Sequence, residues 1–283
     1  MSNNKNFSQF RLKYSYGFYI LLPMAILLFI FMVLFATPNT DENGCPSDEY
    51  ISKKNIAIID ITDPLPNTSK ANLEQLLRYS SSEQTYNQNS KDSLSIFDWF
   101  SSNKKVEKTT FYLLSTTNPS ELEPIGSFCR QPSDVLIELT DSKSKIKMSA
   151  KKIQDRISNV INSVKGGIAT KSQIIQTIAT LTSNSTWKKG STVFLLSDLE
   201  EISSDCGNFM RDVPQFKSIN SNCAKWIEIT KENMTSVDNP SDIKFCEILR
   251  DTSKATGLRP FWKEYRHYVT GQKASYEHGC NNE

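Results

Sequence analysis

The sequence predicts an α/β fold, a doubly wound and mainly parallel sheet that follows one N-terminal transmembrane helix. Three observations predict it. Ile56 to Ile59 is a short apolar run that breaks into Asp60, Thr62 and Asp63 before two prolines, as a strand buried on both faces does where it leaves a helix-covered sheet. Thr192 to Glu201 (TVFLLSDLEE) repeats the design, with Val193 to Leu196 running into Ser197, Asp198, Glu200 and Glu201. Other segments space their apolar residues three and four apart, and strands alternating with helices argue for parallel pairing. In such sheets ligands gather beyond the carboxyl ends of the strands. Two strands side by side would therefore pool Asp60 and Asp198 at one rim.

In chain order, residues 1–17 are polar and carry Lys5, Arg11 and Lys13 with no acid among them, and Phe18 to Ala36 then runs without a charge. At a rise of about 1.5 Å per residue this run crosses a hydrocarbon core of roughly 30 Å. The competing reading is a cleaved secretory signal, whose apolar region of about 7–15 residues is shorter. Pro23 is tolerated in a membrane helix. Basic residues precede the run and Asp41, Glu42, Asp48 and Glu49 follow it, so the N-terminus is expected in the cytoplasm. The rest, outside the inner membrane, is then a periplasmic domain. Residues 37–53 form a tether, and 54–283 form the domain.

All six cysteines lie after the span, which suits a compartment where disulfides form. Cys206 with Cys223 is the expected local staple, and Cys45 with Cys280 is a second pairing that would join the domain's two ends. Buried free thiols are the alternative, since six cysteines allow 15 pairings.

Within the domain, Ser69 can cap a helix to Tyr79 with Leu73, Leu76 and Leu77 on one face. Residues 80–103 read as a long polar loop with an aromatic knot (Phe97, Trp99, Phe100) that packs on the body or on a partner. Lys108 to Ser115 is the second strand, and Thr116 to Lys147 reads as irregular. Ala150 to Val164 spaces Ile153, Ile157, Val160, Ile161 and Val164 for a helix, which Gly166-Gly167 ends. Ser172 to Leu181 is another helix. Lys225 to Thr230 (KWIEIT) reads as an edge strand, Ser241 to Ala255 as a helix, and Phe261 to Val269 as a closing aromatic segment.

On these residues the sequence resembles the von Willebrand factor A-like fold, a Rossmann-like doubly wound domain. That family ends its first strand in Asp-x-Ser-x-Ser, offers a Thr after Gly-Gly, and ends a later strand in Thr-Asp-Gly. Asp60 and Thr62 match the first motif, where Pro64 replaces the second Ser. Gly166-Gly167 matches the double glycine, where Ile168 replaces the Thr and Thr170 or Ser172 can stand in. Ser197-Asp198 matches Thr-Asp, where Leu199 replaces the Gly. The resemblance implies a divalent cation, Mg²⁺, held by Asp60, Thr62, Asp198, Thr170 and Ser172. It also implies a partner-binding rim to which Asp63, Ser197 and Glu200 contribute. Adjacent carboxylates at that rim would raise one another's pKa unless neutralised. Without a cation, Asp60 or Thr62 would cap the turn that follows, and Asp198 would cap a helix.

Enzymatic chemistry has little support. His267 and His278 are the only histidines and neither sits in a nucleophile-activating motif. Gly166-Gly167 lacks the further residues of a phosphate loop. Scattered lysines and a net charge of +2 give no sign of nucleic-acid binding. The expectation is a membrane-anchored, extracytoplasmic protein-binding module in a membrane-associated assembly, and not an enzyme. Its alternatives are a metal-dependent hydrolase using Asp60, Asp63 and Asp198, and a structural subunit whose anchor helix makes the main contacts.

Overall fold

The structure is a computed structural model that describes residues 21–28, 41–62, 106–115, 118–130, 142–163, 171–209, 211–238, 240–247 and 252–272. The chain divides into Met1–Asn39 and Thr40–Glu283. In the first unit, residues 21–28 are helical, and Leu21, Leu22, Met24, Ile26, Leu27 and Leu28 are all exposed. Among the described residues no helix is long and apolar enough to cross a membrane; most of Phe18 to Ala36 lies outside them.

The second unit is built on strand β1 (Ile51–Asp60), which is buried without a break from Asn55 to Asp60. It pairs in parallel with β2 (Val106–Leu114) on one side and β4 (Thr192–Ser197) on the other. Strand β3 (Pro124–Arg130) joins β2 antiparallel, and β7 (Asp242–Glu247) joins β4 in parallel. The order is β3-β2-β1-β4-β7. A small hairpin of β5 (Ile202–Ser203) and β6 (Gly207–Asn208) follows β4. An antiparallel edge on an otherwise parallel sheet is common in doubly wound folds. The connections reverse direction between β1 and β4, which is the switch point where such sheets bind ligands.

Register sorts the side chains by parity, because successive residues of a strand point to opposite faces. Ile56 and Ile58 lie beside Val193 and Leu195, which lie beside Ile243 and Phe245. These six form one core with helices α2 (Ile174–Thr182), α3 (Ser221–Met234) and α4 (Thr252–Thr270). The intervening Ala57, Ile59, Phe194 and Leu196 are buried as well. Helix α1 (Ser142–Ser163) turns Ile153 and Ile157 inward and packs on β3. A Cβ on Gly126 of β3 would stand 2.9 Å from Ile153 Cγ1.

Several expectations need correction. Lys225 to Thr230 is not a strand: it lies inside α3, whose buried Cys223, Ile227, Thr230 and Met234 recur every three or four residues. Asn220 starts that helix by accepting a bond from the Cys223 amide at 2.9 Å. Ser241 to Ala255 is not one helix; Asp242–Glu247 is the edge strand β7, and α4 begins at Thr252. Residues 116–147 hold β3 and the first turns of α1, which starts at Ser142 rather than Ala150. Cys45 pairs with Cys129, not Cys280. The Cys206–Cys223 staple forms as expected, joining the β5–β6 hairpin to α3. Cys246 is disulfide-bonded too, and no free cysteine occurs among the described residues. The expected helix from Ser69 to Tyr79, the loop over 80–103, Gly166-Gly167, Asp63 and Thr170 lie outside the described residues.

Candidate functional site

Parity decides what meets at the switch point. Asp60 continues the Ile56, Ile58 series and Ser197 the Val193, Leu195 series, so both side chains turn toward the face covered by α2, α3 and α4. Ser197 Oγ donates to Asp60 Oδ2 at 2.8 Å, and Ser172 Oγ, just before α2, donates to the same oxygen at 3.1 Å. Asp60 Oδ1 accepts from the Thr62 amide at 3.0 Å and from Thr62 Oγ1 at 2.6 Å. A single carboxylate thus takes four hydrogen bonds from three residues, the farthest of them 137 positions away in sequence. Ser172 is held in place by a two-way backbone bridge with Ile202. Burial pushes the Asp60 carboxyl up from its ordinary value, and the bonds from Thr62, Ser197 and Ser172 oppose that shift.

Asp198 has the opposite parity, so its side chain leaves the sheet on the other face from Asp60 and Ser197. Its Oδ1 accepts from the Glu200 amide at 3.2 Å, a local turn, and Asp198 and Glu200 stay partly exposed with Thr62. Of the expected site residues, Asp60, Thr62, Ser172 and Ser197 come together, while Asp198 and Glu200 stand at the edge. We expect Ser197→Ala to cost about 1–3 kcal/mol in chemical unfolding, because it strips a bond from a buried carboxylate. Asp198→Ala, which removes a bond from a partly exposed carboxylate, is expected to cost less.

Leu199 stands where the resembling family has glycine, and its φ of 66° is the left-handed conformation that glycine adopts freely. A leucine there costs about 1–2 kcal/mol. Its surroundings hold it: the Leu199 amide donates to Ser197 Oγ at 2.9 Å, Trp262 Nε1 donates to the Leu199 carbonyl at 2.9 Å, and the side chain is fully buried.

Two further groups complete the end of the sheet. Glu201 is fully buried, and its Oε2 accepts from the Ile175 amide in the first turn of α2 at 2.9 Å. Burial pushes this carboxyl up to about 7. Glu247, opposite Ser197 at the end of β7, is buried and paired with Arg259 of α4 at 3.0 Å. The sequence pattern marks Glu201 as part of an acidic strand end, yet nothing in it says that α2 would begin against that side chain. For Glu247 no signal exists while its segment is read as helix.

The resemblance implies Mg²⁺, and the donors can be tested against it. Hard cations take oxygen ligands, and Mg²⁺ wants them near-octahedral at about 2.0–2.1 Å. Here each Asp60 oxygen already accepts two hydrogen bonds, which fills its acceptor sites from the protein itself. The hydroxyls of Thr62, Ser172 and Ser197 all direct their protons at it, and Asp198 is occupied in its own turn. Among the described residues no three His, Cys, Asp or Glu side chains are grouped to hold a metal. As arranged, these residues suit a hydrogen-bonded carboxylate and do not fit a Mg²⁺ centre. No model of a known protein family matches the chain, and no curated protein matches it.

Proposed function

We propose that this chain is a von Willebrand factor A-like binding module, held by its N-terminal helix to the inner membrane with the domain on the periplasmic side. It docks a protein partner of a membrane-associated assembly at the rim between β1 and β4. The observation that carries this reading is the switch point itself. Three side chains, from the turn after β1, the approach to α2, and β4, converge with one backbone amide on a single buried carboxylate, and Thr62, Asp198 and Glu200 are left partly exposed around it. A rim fixed in this way is a pre-organised surface, which lowers the ordering cost of binding. The anchor is supported by residues 21–28, a helix whose large apolar side chains are between 49% and 67% exposed; such a surface suits lipid. The disulfides support a compartment outside the cytoplasm.

The test is affinity capture from detergent-solubilised membranes with full-length wild type and the double variant Asp198→Lys, Glu200→Lys. Recovery of the partner that wild type retains should fall at least about tenfold, since like or reversed charge across an interface costs several kcal/mol. The melting temperature should fall by only a few degrees, since Asp198→Lys removes a turn contact and leaves the buried cluster intact. Equal recovery by both proteins would remove the rim from the interface. A chelator is expected to change neither capture nor melting temperature. A Mg²⁺-dependent rise in melting temperature that Asp60→Ala abolishes would restore the cation to the site.

A further inference from the structure

Beneath the rim lie two buried carboxylates, Asp60 at 3% exposure and Glu201 at 0%. Among the described residues neither pairs with a Lys, Arg or His side chain. Asp60 is satisfied by four donors, whereas Glu201 is only half satisfied: Oε2 holds the Ile175 amide and Oε1 is buried without a hydrogen-bond partner. An unpaired carboxylate oxygen in the interior is costly, and taking up a proton is the usual relief.

The surroundings of Glu201 favour that proton. From β1 the charge of Asp60 opposes a second negative charge. The Ser203 hydroxyl of β5 and the Ile175 and Ile174 amides of α2 lie near enough to favour the ion, but only the Ile175 amide bonds it in good geometry, and burial outweighs all three. From α4 comes the neutral Tyr265, whose phenol is held protonated by burial and by the charge on Glu201. The Glu201 backbone also ties the hairpin to the sheet end, its carbonyl accepting from the Phe209 amide at 2.8 Å.

We propose that Glu201 is a proton-sensitive latch under the switch point: protonated, it is a neutral cap on the first turn of α2, and its ionisation puts a second buried negative charge beside Asp60 and loosens the junction of β4 and α2 that shapes the rim. The proton leaves to solvent and no other covalent bond changes. The inference rests on the rim reading only in naming what the latch regulates, because the titration is read without a partner.

The sign follows from linkage. The carboxyl binds its proton more tightly folded, at about 7, than at the ordinary 4.5. Its contribution to stability is therefore whole below about pH 4.5 and is lost as the pH rises to about 7. Thermal unfolding of the detergent-solubilised full chain should show the melting temperature falling across that window. The fall should exceed that of Glu201→Gln by on the order of 10 °C. The glutamine keeps the shape and stays neutral at every pH. Identical slopes for the two proteins would overturn the proposal. If the variant does not fold, ¹³C-glutamate labelling of wild type decides the matter, since a folded-state carboxyl titrating near pH 7 is required and its absence overturns the latch. Failure of partner capture leaves this result standing, and a flat titration leaves the capture experiment untouched.

Discussion

Replacing Cys45 and Cys129 together by serine is expected to lower stability by about 4–5 kcal/mol, on the order of 10–15 °C in melting temperature. The disulfide spans 84 residues, and closing so long a loop restricts the unfolded chain strongly. Its neighbourhood offers little to compensate. Cys45, Ile51, Val106 and Cys129 form a small apolar cluster of their own, apart from the main core. Around Cys45 the chain is held by a turn in which Asp41 Oδ1 accepts from the Asn43 and Cys45 amides at 2.9 and 2.8 Å. Urea unfolding of the double variant against wild type checks the value. A loss below about 1 kcal/mol would mean that the bridge adds nothing beyond the contacts around it.

Truncating Trp262 should be comparably severe. Its side chain is fully buried, with Phe261, Tyr265 and Phe245 rings at 5.5, 5.3 and 5.6 Å, so Trp262→Ala removes the centre of the aromatic cluster and is expected to cost about 3–5 kcal/mol. Trp262→Phe keeps most of that volume and deletes the bond to the Leu199 carbonyl, with an expected cost of about 1–2 kcal/mol. The pair separates packing from the tie that holds Leu199 in its left-handed conformation. Equal losses in the two variants would assign the whole effect to the tie. Chemical unfolding followed by near-ultraviolet circular dichroism reads both variants.

The central strands were legible because β1 and β4 are unbroken apolar runs that stop in oxygen-bearing side chains, and burial on both faces leaves no other pattern open to them. The edge strands were harder. β3 opens on Pro124 and contains Gly126, residues that weaken a strand signal even though a proline at a strand's first position is a mark of an edge. β7 was concealed by Ile243 and Cys246, three apart like helix residues, although Ile243 and Phe245 alternate as a strand requires. In α3 the six residues Lys225 to Thr230 hold enough Trp, Ile and Thr to look like a strand. Only the longer window from Cys223 to Met234 shows the helical period.

At the site, the sequence named Asp60, Thr62, Ser172 and Ser197, but it gave the central partnership to Asp198. The register corrects that. Ser197 shares Asp60's face and Asp198 does not, and parity is invisible until the two strands are aligned. Glu201 was missed as a separate actor because its role depends on where α2 begins against it, a tertiary fact that no local pattern carries.

The bridge from Cys45 to Cys129 flanks everything between the first two strands. A protease cutting anywhere in residues 63–105 severs the backbone inside that loop. The resulting pieces would remain one covalent molecule under oxidising conditions, and a reductant that opened the bridge would leave β1 held only by its pairing with β2 and β4.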